Sequence, residues 1–555
     1  MWIDARAHAD GQTFDTTVCI VGGGPAGLTL AMELGRHGID VIVLESGGLE
    51  PDAATTGLLR GTNRGLDYEF GIGYRSRFFG GGSNCWGGIC RPLESNQFES
   101  RAWVPDSGWP FRGDELRPYY ERAHRTLQLG PFDYEAEGWV RAIDRPFVRR
   151  LPLDDSEVTD GICQFSGPTR FGKEYREEIE RSRQIKVHFY ANVVEIRTQP
   201  GGQAIEFLRC RTLSGLEFGV RARQFVLAAG GIEVPRLLLA SNRQQGAGIG
   251  NGHDLVGRYF MDHPRLTMHR VRFTQPWQSN HLYDNLMQFH NAAIAANGVA
   301  VAGVLRLRPH VQEREGLLET CVWFRTMLKG EQTPPAEALL RMKLRLHGRV
   351  DDEQHSTWRD LATIARHPRV SARFIAARAA HSRRLEGLRA RLVSHTVMQL
   401  VCEPAPNPDS RVTLADELDA LGLPKACVDW RPGELVKATL DRTSRIVADE
   451  LRRIGVAEVE LDEPLSGSPW PAKLNGAWHH MGTARMHDSP RKGVVDRNCR
   501  VHGIPNLYIA GAAVFPTAGA NFPTFTLTAL SLRLADHLVA QFSRAPTAAA
   551  ATIPA

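Results

Sequence analysis

Two short runs without a single polar position frame the first clear unit of the chain. Val18-Cys19-Ile20-Val21 and Val41-Ile42-Val43-Leu44 have the continuous apolar character of parallel strands buried on both faces. Between them the apolar positions Leu28, Leu30, Ala31, Met32 and Leu34 follow a helical spacing, and Gly38 is a fitting stop. The pattern predicts strand, helix, strand, with Gly22-Gly23-Gly24-Pro25-Ala26-Gly27 at the first turn and Glu45-Ser46 after the second strand. This is G-x-G-x-x-G in a complete βαβ unit. Gly22 permits the tight turn, Gly24 lets backbone approach a pyrophosphate, and Gly27 lets helix pack on strand. The phosphates are expected at the helix start, around Pro25 and Ala26, and Glu45 is placed to accept from ribose hydroxyls. The motif serves FAD and NAD alike.

Later segments repeat parts of this pattern. Gln224 to Ala228 reads as another buried strand running into Ala229, Gly230 and Gly231, and Ala191 to Ile196 as a further strand. Leu507 to Ala510 is a strand ending at the turn Gly511-Ala512. Pro523-Thr524 opens a helix whose core face is Leu527, Leu530 and Leu534, with Pro in its first turn. The glycine-rich run Phe79 to Gly88, with Ser83-Asn84-Cys85-Trp86 inside it, suits neither a stable helix nor an ordinary strand. It suits backbone lying against a flat or charged ligand.

Composition narrows the classes. The 555 residues include 42% apolar and 23% charged positions, which is ordinary for a globular protein and excludes wholesale disorder. The formal charge of +5 is too weak to imply a nucleic-acid partner. No window approaches the ~18 uninterrupted apolar residues of a spanning helix, and the N-terminus has no signal-peptide pattern. Nine cysteines without CxxC spacing fit reduced thiols in a cytoplasmic protein. Residues 341–391 hold 13 lysine and arginine side chains against 5 acidic ones in a helical pattern, read as a solvated face. No metal site is indicated, because His479 and His480 are adjacent with no carboxylate or cysteine at ligand spacing.

The C-terminal run Trp478-His479-His480-Met481-Gly482-Thr483, with Asn506 to Ala512 and Pro516 to Thr524, turns these parts toward one chemistry. Together with the βαβ unit, the glycine-rich run and Ala229 to Leu238, it resembles the glucose–methanol–choline (GMC) family of FAD-dependent oxidoreductases. The resemblance is nearest to the sugar-oxidising branch of pyranose 2-oxidase and bacterial glycoside dehydrogenases. It implies an α/β fold: a discontinuous Rossmann-like FAD-binding domain over 14–110, 186–265 and 471–542, and an α+β substrate domain over 111–185 and 266–470. Residues 543–555 are expected to form a flexible tail.

The resemblance further implies hydride transfer from an alcohol carbon to flavin N5, with His479 as general base and Asn521 orienting the substrate oxygen. A histidine suits the role, since its ordinary pKa of ~6.5 lies near neutrality. Cofactor contacts are implied for Gly22, Gly24, Pro25, Ala26, Gly27, Glu45, Ser46, Gly81, Gly82, Asn84, Cys85, Trp86, Val193, Ala229, Gly230, Gly511, Ala512, Asn521, Pro523 and Thr524. Cys85 stands where the branch can carry a flavin-linked histidine, so FAD is expected to be non-covalent. Val234 replaces the family's usual Ser or Thr, and Phe522 is one residue more than close sugar oxidases carry between Asn and Pro. The expected partner is a small alcohol or sugar, with oxygen or a separate carrier taking the electrons. The alternatives are a sterol or natural-product alcohol, a non-redox lyase of the same fold, and a non-catalytic FAD-binding subunit.

Overall fold

The apolar runs become the middle of an eight-stranded sheet. Val41–Leu44, Gln12–Val21 and Glu217–Leu227 lie side by side in parallel, with Val18 between Val41 and Gln224. Ile185–Phe189 and Trp2–Asp4 continue the sheet in parallel on one side. On the other, Glu217–Leu227 pairs with Leu507–Ile509 in parallel and with Ile205–Arg211 antiparallel, and Asn192–Thr198 follows antiparallel on Ile205–Arg211. In this computed structural model residues 1–71, 73–145, 148–167, 169–275, 282–284, 295–331, 333–345, 356–382 and 393–544 are described. Trp2–Asp4 thus pairs in this sheet although it precedes residue 14.

Helix Pro25–Arg36 packs on the C-terminal helix Pro523–Arg544, which in turn meets Gly113–Thr126. Val18, Ile20, Leu30, Val43, Val226, Ile509 and Leu530 share one buried core beneath them. This is the all-apolar environment that strands without polar positions require.

A second, nine-stranded antiparallel sheet is assembled from distant segments. Ala457–Glu460, Pro264–Phe273, Val393–Cys402, Thr320–Leu328, Val299–Leu307, Val158–Phe165 and Ile89–Cys90 follow one another across it. Its strands alternate. Val322, Met398 and Leu400 turn to the helix Glu434–Arg453 and its Val436, Leu440 and Val447. Cys163, Ala302, Cys321, Trp323 and Val401 form a separate cluster on the opposite face, with Ala520 and Phe522 against it.

The arginine-rich segment lies partly outside the described residues. Within them, Arg341 and Arg345 of helix Pro334–Arg345 pair with Asp360 of helix Thr357–Arg366 at 2.7 and 3.5 Å. Of the expected tail, helix Pro523–Arg544 takes the first two residues and 545–555 lie outside the described part. Among the described residues no helix is long and apolar enough to cross a membrane, and no disulfide joins the nine cysteines.

Candidate active site

A cavity of about 1330 Å³ runs from the glycine turn of the first sheet to the face of the second. That exceeds the ~300–1,000 Å³ of an ordinary small-ligand site and leaves room for a dinucleotide together with a substrate. Of the residues expected at the cofactor, all but Gly27, Asn84 and Asn521 line it.

The phosphate end is built as the glycine spacing requires. Gly22 has φ +111°, and a Cβ there would stand 2.8 Å from the Ala228 carbonyl oxygen. Helix Pro25–Arg36 begins at Gly24 with no side chain capping its first N–H groups, which leaves them to an anion in the cavity. Gly27 does not touch the cavity; it sits behind the turn, where a side chain would collide with the Gly22 carbonyl. Glu45 is buried at the cavity wall and accepts from the Gly23 and Gly47 N–H groups at 2.8 and 3.0 Å. It therefore pins the glycine turn as well as facing the ribose position; each carboxylate oxygen keeps a further lone pair. The glycine-rich run folds into the single 3-10 turn Gly81–Asn84. Asn84 faces away from the cavity and holds that turn, donating to the Phe79 carbonyl at 3.0 Å. This uncapped, glycine-walled cleft fits a dinucleotide, and FAD would be held by the N–H groups at Ala26, the Gly81-Gly82 backbone and the Gly511-Ala512 turn.

His479 occupies the far end of the cavity, and the chain around it is strongly constrained. Trp478 has a left-handed backbone (φ +59°), a conformation costing a non-glycine residue ~1–2 kcal/mol. Buried Asp262 holds it there, accepting the Trp478 and His479 N–H groups at 2.9 and 2.8 Å and the Tyr68 hydroxyl at 2.6 Å. Trp478 also stacks on Tyr74, ring centroids 3.7 Å apart, with Arg265 over its face.

The tautomer of His479 follows from its neighbour. His263 is fully buried, and burial lowers its pKa to about 4, so its ring is neutral. Its Nε2 lies 2.8 Å from the Gly519 carbonyl, which can only accept; Nε2 therefore carries the proton and Nδ1 is an acceptor. His479 Nδ1 lies 2.9 Å from that acceptor and must be its donor. The remaining nitrogen of His479, Nε2, is left with a free lone pair. Burial, with His263, His480 and Arg265 nearby, also lowers the His479 pKa well below its ordinary value. The result is a neutral imidazole with one defined basic nitrogen.

Asp262, His263 and His479 bring three potential metal-ligating atoms within 4.8 Å. The hydrogen bonds above already commit both Asp262 oxygens, His263 Nδ1 and His479 Nδ1. The carboxylate that local spacing lacked comes here from just before the strand Pro264–Phe273, more than two hundred residues away.

Asn521 does not join His479. It is 2% exposed, donates to the Pro92 carbonyl at 2.9 Å, and is absent from the cavity wall. Consecutive side chains diverge in this loop, and the additional Phe522 takes the cavity side, edge-on to His479 with ring centroids 5.0 Å apart. Asn521 Oδ1 is buried without a hydrogen-bond partner among the described residues. His480 does line the cavity, but it packs on Phe260 and Tyr68, and burial lowers its pKa to about 3.

The sequence reading missed Asp262 and His263, whose adjacency carries meaning only once Met261 bridges Met481 and brings the two segments together. It also missed Trp323 and Gln399 on the second sheet.

Residues 406–531 match the family model described as GMC oxidoreductase, and residues 17–251 match that described as FAD dependent oxidoreductase. Paromamine 6'-oxidase of Streptomyces fradiae is 24% identical, the match covering 95% of this chain and 93% of that protein. The fructose dehydrogenase large subunit of Gluconobacter japonicus is 27% identical over 58% of this chain, and the match spans 48% of that subunit. Among solved structures, formate oxidase superposes with a TM-score of 0.54 at 18% identity, over 97% of this chain and 100% of that one.

Proposed function

This chain is an FAD-dependent oxidoreductase of the GMC family acting on alcohols, and from that premise we propose that it oxidises a hydroxyl of a sugar or glycoside with His479 as general base. The observation that carries the base assignment is the Gly519–His263–His479 chain, which leaves His479 Nε2 as the only acceptor of that triad facing the cavity. FAD supplies the acceptor for the hydride. His479 Nε2 takes the hydroxyl proton, and the resulting imidazolium keeps its Nδ1–H on His263. His263 is a positioning residue: it fixes which nitrogen reacts and how the ring is turned. Asp262 fixes the backbone on which the ring stands. Phe522 closes one side of the imidazole against water.

A sugar hydroxyl is favoured by the relatives named for paromamine and fructose. Reduced, mostly buried cysteines agree with a cytoplasmic enzyme. The test is an anaerobic absorbance titration of purified protein with monosaccharides, glycosides, sterols and simple alcohols. Loss of the flavin band with sugars alone is the expected result. Bleaching by sterols alone would replace the substrate class. A flavin that no alcohol bleaches would favour the lyase alternative.

The flavin is non-covalent in this reading. Cys85 lines the cavity, and Cys85→Ala is expected to leave the acid-precipitated protein as colourless as the wild type. A yellow precipitate from wild type that the variant loses would establish a cysteinyl link instead.

A further inference from the structure

Trp323 and Gln399 are directly opposed on the neighbouring antiparallel strands Thr320–Leu328 and Val393–Cys402. Both line the cavity, and both are buried, at 3% and 4% exposure. Among the described residues, Trp323 Nε1 and Gln399 Oε1 nevertheless have no hydrogen-bond partner, including each other. An unpartnered donor beside an unpartnered acceptor is costly in a protein interior and calls for a ligand that answers both. The pair also stands near the base. Trp323 lies 6.2 Å, centroid to centroid, from Phe522, and Phe522 lies 5.0 Å from His479.

We propose that Trp323 and Gln399 read a second hydroxyl of the substrate, close to the one that is oxidised. A hydroxyl is both donor and acceptor, so one group can accept from the indole N–H and donate to the amide oxygen. This rests on the alcohol-oxidising reading of the same site and narrows its substrates to vicinal diols and larger polyols. A simple alcohol leaves both polar atoms desolvated and unpaired. Sites built to bond a hydroxyl reject analogues lacking it far more strongly than apolar pockets reject a missing methylene.

The probes are trans-cyclohexane-1,2-diol against cyclohexanol, and methyl β-glucopyranoside against its monodeoxy derivatives. All are measured with the flavin-loaded enzyme, and the variants are Gln399→Leu and Trp323→Phe. Wild type is expected to favour the hydroxylated member of at least one pair by ~10²-fold or more in kcat/KM. In each variant that ratio falls to within about threefold, with most of the loss on the hydroxylated member. Thermal melting of the variants serves as the folding control. Removing an unpaired buried polar atom should leave Gln399→Leu as stable as wild type or more so, whereas a structural glutamine would lose stability.

Unchanged ratios in both variants, or a wild type indifferent to the second hydroxyl, overturn the proposal. If no alcohol bleaches the flavin, the oxidoreductase reading fails separately. Calorimetric binding of the same probes then decides the pair: tighter binding of the hydroxylated members, lost in both variants, supports it, and equal binding overturns it.

Discussion

Replacing His479 with alanine is expected to leave the flavin band at full strength and to slow anaerobic flavin reduction by ~10²–10⁴-fold, the range for a lost general base. Flavin is retained because the side chain lies at the end of the cavity away from the glycine turn that is proposed to hold the phosphates. The loss is large because nothing nearby can substitute. His263 stands behind His479 and does not line the cavity, and His480 is turned toward Phe260 and Tyr68. The pH dependence of the wild-type rate follows with a definite sign. The base must be neutral, and burial lowers the His479 pKa well below its ordinary 6.5, so titration of His479 itself should not slow the reaction in the usual histidine range. Asp262 must be ionised to hold the Trp478 and His479 N–H groups. Burial raises its carboxyl to about 6, so on acidification its hold is lost earlier than an ordinary carboxylate's would be. The acid limb is therefore expected to be that of Asp262, with its midpoint at about pH 6 and the reduction rate level from roughly one unit above it. Stopped-flow reduction across pH checks both statements. Wild-type rates in His479→Ala would remove the residue from the mechanism, and an acid limb centred above the ordinary histidine value would contradict its burial.

The parts of this molecule legible in the sequence are those whose partners are close along the chain. Val18–Val21, the glycine turn and Val41–Leu44 declare themselves because each element's neighbour follows within a few residues, and all pair as expected. Pro523 opens its helix for a similarly local reason. The active-site end is different. Its sheet joins strands separated by up to hundreds of residues, and no local pattern states that Trp323 will oppose Gln399. The Asn521 case shows the limit more sharply. A single additional residue, Phe522, decides which of two consecutive side chains faces His479, and only loop geometry settles it. His263 was invisible for a related reason. An isolated buried histidine is unremarkable until another segment brings a second imidazole to 2.9 Å.

Gly24→Ala and Gly27→Ala are expected to lose the flavin alike while having opposite effects on the protein without it. A Cβ on Gly24 meets nothing nearer than the Gly81 Cα at 3.7 Å, an ordinary contact, and the backbone at φ −91° suits alanine. The methyl instead enters the cavity where backbone must approach phosphate. The apoprotein should therefore melt at the wild-type temperature or slightly above it, since Gly→Ala at a compatible site stabilises by ~0.4–1 kcal/mol. A Cβ on Gly27 falls under 3.0 Å from the Gly22 carbonyl oxygen and presses on Ile20 and Ala228 at 3.2 and 3.3 Å. No flexible side chain can yield there, so the helix must back away from the strands. That should cost ~1–3 kcal/mol of stability and pull the helix N-terminus off the pyrophosphate. With ~1.4 kcal/mol per factor of ten, flavin affinity in this variant falls ~10–10²-fold through the distorted cradle alone. Flavin content of the purified variants, read beside apoprotein melting, separates the two causes. Full flavin occupancy in Gly24→Ala would mean that the phosphates do not lie against this turn. An unchanged melting temperature in Gly27→Ala would mean that the helix is not held as tightly against the strands as the structure has it.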